Sequence, residues 1–152
     1  MRLIVSGGRA FADAELVQRE LRQLNLRKPI SVLIHGWIGP AAPVVDHWAR
    51  EHGIPIVRYP PNWELYGKHA EAYRNEFMLA DSRPDLIVAF PGGRDTADLV
   101  QRARNTGVAV LMAPGPLVEE SHCRKPALKR AVPAMDCTRA KMVAHELWGS
   151  SD

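Results

Sequence analysis

The stretch RLIVSGGRAF at residues 2–11 runs from a short apolar segment straight into a glycine pair and an arginine. The stretch LIVAFPGGRD at residues 86–95 has the same order of residue types. Short apolar runs rich in β-branched residues and bounded by glycine are typical of buried strands, and a glycine pair lets the backbone turn sharply after the strand. The two stretches therefore predict two strand–loop–helix units of one sheet.

Three further apolar runs have the length of a strand. The five predicted strands cover residues 3–5, 30–34, 54–57, 86–90 and 108–112. The segments between them carry apolar residues at helical spacing, so strands and helices alternate along the chain. This order predicts an α/β, Rossmann-like fold: a doubly wound sheet of about five parallel strands with helices on both faces.

Each predicted helix has one apolar face that would cover the sheet. The four faces consist of Ala14, Val17, Leu21 and Leu24; of Val45, Trp48, Ala49 and His52; of Ala70, Tyr73, Phe77 and Ala80; and of Thr96, Val100 and Ala103. Asp13 is placed to cap the first helix, and Asn105-Thr106-Gly107 to stop the last. We therefore expect all five strands to be buried.

The bulk composition fits one globular domain. The chain has 152 residues, of which 46% are hydrophobic and 24% are charged, which is ordinary for a protein that buries a core of its own. We expect a nucleotide-ligand-binding domain over residues 1–112. Residues 113–152 are predicted to form an appendage that ends in a helix packed on that domain.

Charge and cysteine content narrow the class of protein. The net charge of +3 comes from basic residues interspersed with acidic ones, which argues against a nucleic-acid surface and favours anionic ligands modestly. Cys123 and Cys137 lack the spacing of a zinc site or a disulfide framework. We therefore expect no metal site. Because no apolar run has the length of a signal peptide or a membrane span, we also expect a cytoplasmic protein.

The glycine-rich strand ends form the candidate ligand site. Doubly wound sheets bind ligands beyond the carboxyl ends of their strands, and backbone amides at a helix N-terminus suit a phosphate. The predicted phosphate-binding residues are Gly7, Gly8, Arg9, Pro91, Gly92, Gly93 and Thr96. The alternative interpretation is a pair of tight turns with exposed arginines.

Two other segments add polar groups to this edge. His35-Gly36 follows the second strand, and His35 can donate to a phosphate or a ribose hydroxyl, act as a general acid, or only cap its loop. Lys68 at a helix start can neutralise a phosphate. Trp63 and Tyr66 can stack on a base or pack in the core.

Arg74 and Asn75 lie near the expected buried face of the third long helix. A buried cation usually has a partner. That partner is either an anionic ligand or one of the carboxylates Asp85 and Asp95, and the sequence leaves both options open.

Taken in order, these motifs resemble the YspA-like, cpYpsA-related branch of the SLOG superfamily, which also includes the LOG phosphoribohydrolases and DprA. The motifs that carry the likeness are Gly7-Gly8-Arg9, His35-Gly36, Trp48-Ala49, Trp63, Gly67-Lys68, Arg74-Asn75, Met78 and residues 89–93. They span about the first three quarters of the chain. The resemblance implies a Rossmann-like domain that binds a nucleotide or nucleotide-derived small molecule without a metal or other cofactor.

Two departures from these relatives bear on catalysis. In LOG enzymes the Pro-Gly-Gly motif continues through Gly-Thr to a catalytic glutamate; the resemblance puts Asp95 at the glycine, Asp98 one position early, and Leu99 at the glutamate. Arg74 matches an arginine that LOG enzymes use beside that glutamate. After His35-Gly36, residues 40–42 read Pro-Ala-Ala where YspA-like proteins usually read Gly-Ala-Asp, so an acidic ligand contact is missing.

The residues favour a sensor or carrier that binds a phosphate-bearing nucleotide. The alternative is a nucleoside-phosphate hydrolase in which Asp98 or Asp95 replaces the glutamate and Arg74 assists. A scaffold without a ligand ranks last. A nucleotide-like small molecule is the expected partner, and the resemblance and the apolar helix faces favour a homodimer.

Overall fold

The computed structural model describes residues 1–36 and 39–113. The strands are β1 (Arg2–Ser6), β2 (Val32–His35), β3 (Ile56–Arg58), β4 (Leu86–Ala89) and β5 (Ala109–Met112). The helices are α1 (Ala14–Arg27), α2 (Ala41–Glu51), α3 (Trp63–Tyr66), α4 (Ala70–Ser82) and α5 (Arg94–Asn105), with a 3-10 turn over Gly67–His69. The predicted appendage lies outside the described residues, apart from Ala113.

The five strands form one parallel sheet in the order β3-β2-β1-β4-β5. The chain builds outward from β1 through β2 to β3, then crosses back to place β4 on the other side of β1. This confirms the predicted doubly wound, Rossmann-like topology. The ends of β1 and β4 pair at Ser6 and Ala89, so the loops after these strands start side by side at the switch point, where such sheets bind ligands.

Apolar cores on both faces hold the helices to the sheet. Successive side chains of a strand point to opposite faces. Leu3 and Val5 accordingly pack with residues of α1 and α2. Ile4, between them, packs with Ile34 and with Met78 of α4. Helices therefore cover both faces, as predicted.

Local capping sets the ends of two helices where the sequence predicts them. The Asp13 carboxylate accepts a hydrogen bond from the Leu16 amide at 2.9 Å, which caps α1. The helix α5 ends at Asn105, and Gly107 then adopts a φ of 76°, which suits glycine at a helix stop. Within the described residues, no helix is long and apolar enough to cross a membrane.

The predicted buried face of α4 is wrong. Tyr73 and Phe77 are 53% and 61% exposed, whereas Arg74 and Asn75 are buried beside Met78. The helix is turned by about one residue relative to the expectation. The polar pair can be buried because both side chains are hydrogen-bonded within the protein, which offsets the cost of removing them from water.

Burial is also lower than predicted at the periphery of the sheet. Val57 of β3 and Met112 of β5 are 37% and 49% exposed, because both strands lie at an edge of the sheet and have a neighbour on one side only. His52, predicted on the apolar face of α2, is exposed and stacks on Trp48 with ring centroids 4.1 Å apart. Of the five strands in the described residues, β1, β2 and β4 are buried.

The position of β2 in the core can be tested with two leucines. Leu33 is fully buried and Leu26 is 81% exposed. We expect Leu33→Ala to lower the free energy of unfolding by about 2–5 kcal/mol through lost burial and a residual cavity. The control Leu26→Ala is expected to change it by less than about 0.5 kcal/mol. Urea denaturation measures both, and equal losses would contradict this packing.

Candidate functional site

The loops after β1 and β4 are in direct contact. The Gly8 amide donates a hydrogen bond to the Pro91 carbonyl at 2.9 Å. A Cβ on Gly8 would lie 2.7 Å from the Cα of Gly92, so a side chain there would push the loops apart. The Gly8 amide, predicted to bind phosphate, is therefore used inside the protein, and its glycine serves the close approach of the two loops.

A cavity of about 650 Å³ lies at this contact, and we call it the glycine cavity. Its lining comes from the loop after β1, the loop after β4, the first turn of α5 and one residue of α4. The lining residues are Gly7, Gly8, Arg9, Ala10, Phe11, Glu71, Pro91, Gly92, Gly93, Arg94, Asp95 and Thr96. All seven residues of the predicted phosphate set are among them.

The helix α5 begins at the glycine cavity. Gly93 is its N-cap residue, and no side chain caps this end. The first amides of a helix have no acceptor within it, and they carry the positive end of the helix dipole. Thr96 is buried, and its hydroxyl lies 3.4 Å from the Ser6 hydroxyl. The amides of this turn, more than the hydroxyl, are the donors that α5 offers.

Two arginines line the cavity. The Arg9 side chain is 71% exposed and pairs with Glu71, which raises the pKa of its guanidinium through a hydrogen bond. Its Cζ lies 5.7 Å from the centroid of the Trp63 ring. Arg94, at the start of α5, is exposed as well. Sequence reasoning did not include Arg94 among the ligands, although its place after the second glycine pair was a signal for it.

Arg74 is a buried clamp between three segments. Its Nη2 donates to the Asp95 carboxylate at 2.7 Å, its Nε donates to Asn75 Oδ1 at 2.9 Å, and its Nη1 donates to the Gly36 carbonyl. Its side chain is only 4% exposed. A Cβ on Gly36 would overlap the guanidinium. The sequence left open whether Arg74 pairs with an anionic ligand or with a carboxylate of the protein. In the structure its partner is the carboxylate of Asp95.

Asn75 extends this clamp to the side of α5. Its Nδ2 donates to the Asp95 carboxylate at 2.8 Å and to the Asp98 carboxylate at 3.0 Å. Asp98 also accepts from Arg102 Nε at 2.9 Å, and it is not among the residues that line the glycine cavity. Leu99, at the position of the LOG glutamate, is buried in the core. The predicted catalytic pair, Asp98 and Arg74, is thus engaged in contacts within the protein.

His35 belongs to a buried network and does not line the glycine cavity; with Gly7 it lines a separate small cavity between the end of β1 and α2. Its Nε2 lies 2.9 Å from the Asp46 carboxylate, which also accepts from Arg58 Nη2 at 2.8 Å. Burial lowers the pKa of His35 and outweighs the opposing effect of Asp46. Burial also acts to raise the pKa of Asp46, but hydrogen bonds from Arg58 and His35 hold it below its ordinary value. The network joins β2, α2 and β3.

Sequence reasoning missed Asp46 and Arg58. The available signal was a single acidic residue next to Val45 on the apolar face of α2, where only a partner in the fold permits burial.

Lys68, predicted to neutralise a phosphate, lies in the exposed 3-10 turn, and it does not line the glycine cavity.

A second space adjoins the glycine cavity, and we call it the Trp63 hollow. It has a volume of about 820 Å³. Its lining residues are Arg9, Gly36, Gly39, Pro60, Pro61, Trp63, Glu71 and Arg74. Arg9 and Glu71 line both spaces, so this ion pair lies at the boundary between them.

Residues 1–66 match the model of the YspA, cpYpsA-related SLOG family. This match covers fewer than half of the residues of the chain, so it shows a likeness of this segment to the family. The match runs from β1 to α3, with the first glycine pair, His35-Gly36 and Trp63, and it supports the branch expected from the sequence. Similarity to the SLOG family suggests nucleotide-related binding or a hydrolase. No curated protein matches the chain.

The contact between the two glycine loops predicts different effects for two similar substitutions. Gly8→Ala would force the Gly92 backbone away, and we expect it to lower the free energy of unfolding by about 1–3 kcal/mol. A Cβ on Gly7 would meet nothing closer than Phe11 Cδ1 at 3.4 Å, an ordinary contact distance, so Gly7→Ala is expected to cost less than about 0.5 kcal/mol. Guanidinium denaturation compares them. A harmless Gly8→Ala would contradict the contact.

The buried His35 network predicts a pH dependence of stability. The unfolded pKa of histidine is about 6.5, and the folded pKa lies below it. The contribution of neutral His35 is therefore complete above that value and is lost as the pH falls through the folded pKa. We expect His35→Gln to flatten the decline of the unfolding free energy between about pH 7 and pH 5.

Exposed His69 in the 3-10 turn provides the control for this experiment. His69→Gln should leave the slope close to that of the wild type. A His35→Gln variant with an unchanged slope would show that His35 does not titrate as the network requires.

Proposed function

We propose that the glycine cavity binds the phosphate group of a nucleotide or nucleotide-derived small molecule, and that the protein is a sensor or carrier of this ligand. One observation carries the proposal: two Gly-Gly-Arg segments and the N-terminus of α5 meet at a single cavity. Its volume of about 650 Å³ is within the range of small-molecule sites.

The charges of the lining favour a phosphate at α5. Arg94 lies on the first turn of this helix and, within the part of the chain that the structure describes, forms no ion pair. Arg9 approaches the same cavity from the loop after β1. Guanidinium groups bind phosphate through two parallel hydrogen bonds, and the helix amides add further donors. An anion therefore meets donors from both glycine loops.

The hydrogen bonds of Arg74 hold in place the first turn of α5, which lines this site. By holding Asp95 and the Gly36 carbonyl at fixed positions, Arg74 fixes the first turn of α5 relative to α4 and the end of β2. Asn75 adds a hydrogen bond to the Asp95 backbone carbonyl at 3.3 Å. A binding site gains affinity when its donors are already in place before the ligand arrives. We assign Arg74 and Asn75 a positioning role.

The hydrolase alternative has less support. The carboxylates expected to replace the LOG glutamate, Asp95 and Asp98, are held by Arg74, Asn75 and Arg102. A carboxylate that stabilises a sugar cation needs to face the reacting carbon.

A nucleotide-like molecule is the partner we propose, and the homodimer and the cytoplasmic location stay predictions.

Ligand binding can be tested by thermal shift and calorimetry with inorganic phosphate, AMP, GMP, CMP, UMP, cyclic nucleotides and ADP-ribose. A ligand at about 100 times its Kd adds about 2.7 kcal/mol of stability, which raises the Tm by several degrees for a domain of this size. We expect Arg94→Ala to weaken binding about tenfold or more. Arg22→Ala, on the exposed side of α1, is the control.

Arg9→Ala is expected to have a larger effect than Arg94→Ala, because it removes a donor and also leaves Glu71 without its partner in the cavity. For inorganic phosphate, which has no sugar, the double variant Arg9→Ala, Glu71→Ala should then recover part of the loss. If no phosphate-bearing compound shifts the Tm, or if Arg94→Ala binds as tightly as the wild type, the proposal fails.

A further inference from the structure

We propose that Glu71 recognises the hydroxyl groups of a ribose, so that the ligand of this protein is a ribonucleotide and not a deoxyribonucleotide. The inference rests on the phosphate site proposed for the glycine cavity. It adds a sugar site next to that cavity and a base site in the Trp63 hollow.

The position of Glu71 supports this assignment. Its side chain comes from the first turn of α4 and is 27% exposed. Together with Arg9 it lines both the glycine cavity and the Trp63 hollow. A ligand whose phosphate lies at the glycine loops and whose remainder lies in the hollow therefore passes this carboxylate.

The chemistry of a carboxylate decides which group can lie there. An ionised carboxylate is an acceptor with two oxygens and has no proton to donate. It repels a phosphate, but it can accept hydrogen bonds from the two hydroxyls of a ribose, as acidic residues do in dinucleotide-binding domains. The Arg9 guanidinium neutralises the charge of Glu71. A phosphate can therefore bind nearby without a large electrostatic cost.

The hollow beyond Glu71 suits the base. The Trp63 side chain is 48% exposed, and Pro60 and Pro61 line the same space. An exposed indole offers an aromatic face on which any base can stack. Along the site, the glycine loops, Glu71 and Trp63 thus follow the order in which phosphate, ribose and base are joined in a nucleoside monophosphate.

Calorimetry with matched pairs of nucleotides tests the assignment. The probes are AMP, GMP, CMP and UMP, their 2′-deoxy counterparts, ribose 5-phosphate and inorganic phosphate. For the wild type, we expect each ribonucleotide that binds to have a Kd about tenfold or more below that of its deoxy form, since a hydrogen bond to a charged group is lost. Glu64, exposed on α3, provides the control variant Glu64→Ala, which should keep this ratio.

Glu71→Ala should bring the ratio of the two Kd values close to one, while the Kd of inorganic phosphate stays the same or falls, because Arg9 is released. Glu71→Gln retains an acceptor and should give an intermediate ratio. Trp63→Ala should weaken the nucleotides about tenfold through lost stacking. It should weaken ribose 5-phosphate much less, because that ligand has no base and is affected only through the contact of Trp63 with Arg9.

Two outcomes separate the sugar site from the phosphate site. Equal affinity of the wild type for ribo and deoxy forms, with binding still dependent on Arg94, overturns the role of Glu71 and leaves the phosphate site standing. Absence of binding by every phosphate-bearing probe overturns both. Nucleotide binding that is unaffected by Trp63→Ala overturns the placement of the base.

Discussion

The arrangement of the site depends on the buried guanidinium of Arg74. A cation removed from water is destabilising unless its donors are paired, and Arg74 meets this requirement with Asp95, Asn75 and the Gly36 carbonyl. These partners come from α5, α4 and the end of β2. Because the guanidinium is planar and its donors are fixed in direction, these contacts restrict how α5 and the end of β2 lie relative to α4. Asp95, which Arg74 holds, lies on the first turn of α5, and this turn lines the glycine cavity.

The fold could be predicted from the sequence because its signals are local. The apolar runs, the glycine pairs and the cap of Asp13 act over a few residues, and they led to the observed alternation of strands and helices in a doubly wound sheet. The buried face of α4 could not be predicted in this way. Tyr73 and Phe77 look like core residues on any scale of hydrophobicity, and Arg74 looks like a surface residue until its partners in distant segments are known.

The same distinction applies to the site. The sequence indicated that the strand ends would converge, since parallel strands end at a common edge. The seven predicted ligand-binding residues of the two glycine loops and α5 line one cavity. The other predicted ligand-binding residues do not line it: His35, Gly36, Lys68, Arg74 and Asn75. The sequence could not show that the Gly8 amide is used by Pro91, because that bond joins loops far apart in the chain. Glu71 was missed for a related reason: only the packing of α4 brings it to the glycine loops.

The charges around the glycine cavity have a kinetic consequence. Among the described residues, its charged lining groups are Arg9, Arg94, Glu71 and Asp95, two of each sign, so these four groups add no formal net charge. They therefore contribute little of the long-range attraction that speeds the encounter of anions with strongly basic clefts. A modest attraction comes instead from the net charge of +3 of the whole chain. Selection among anions then falls to short-range contacts made after entry.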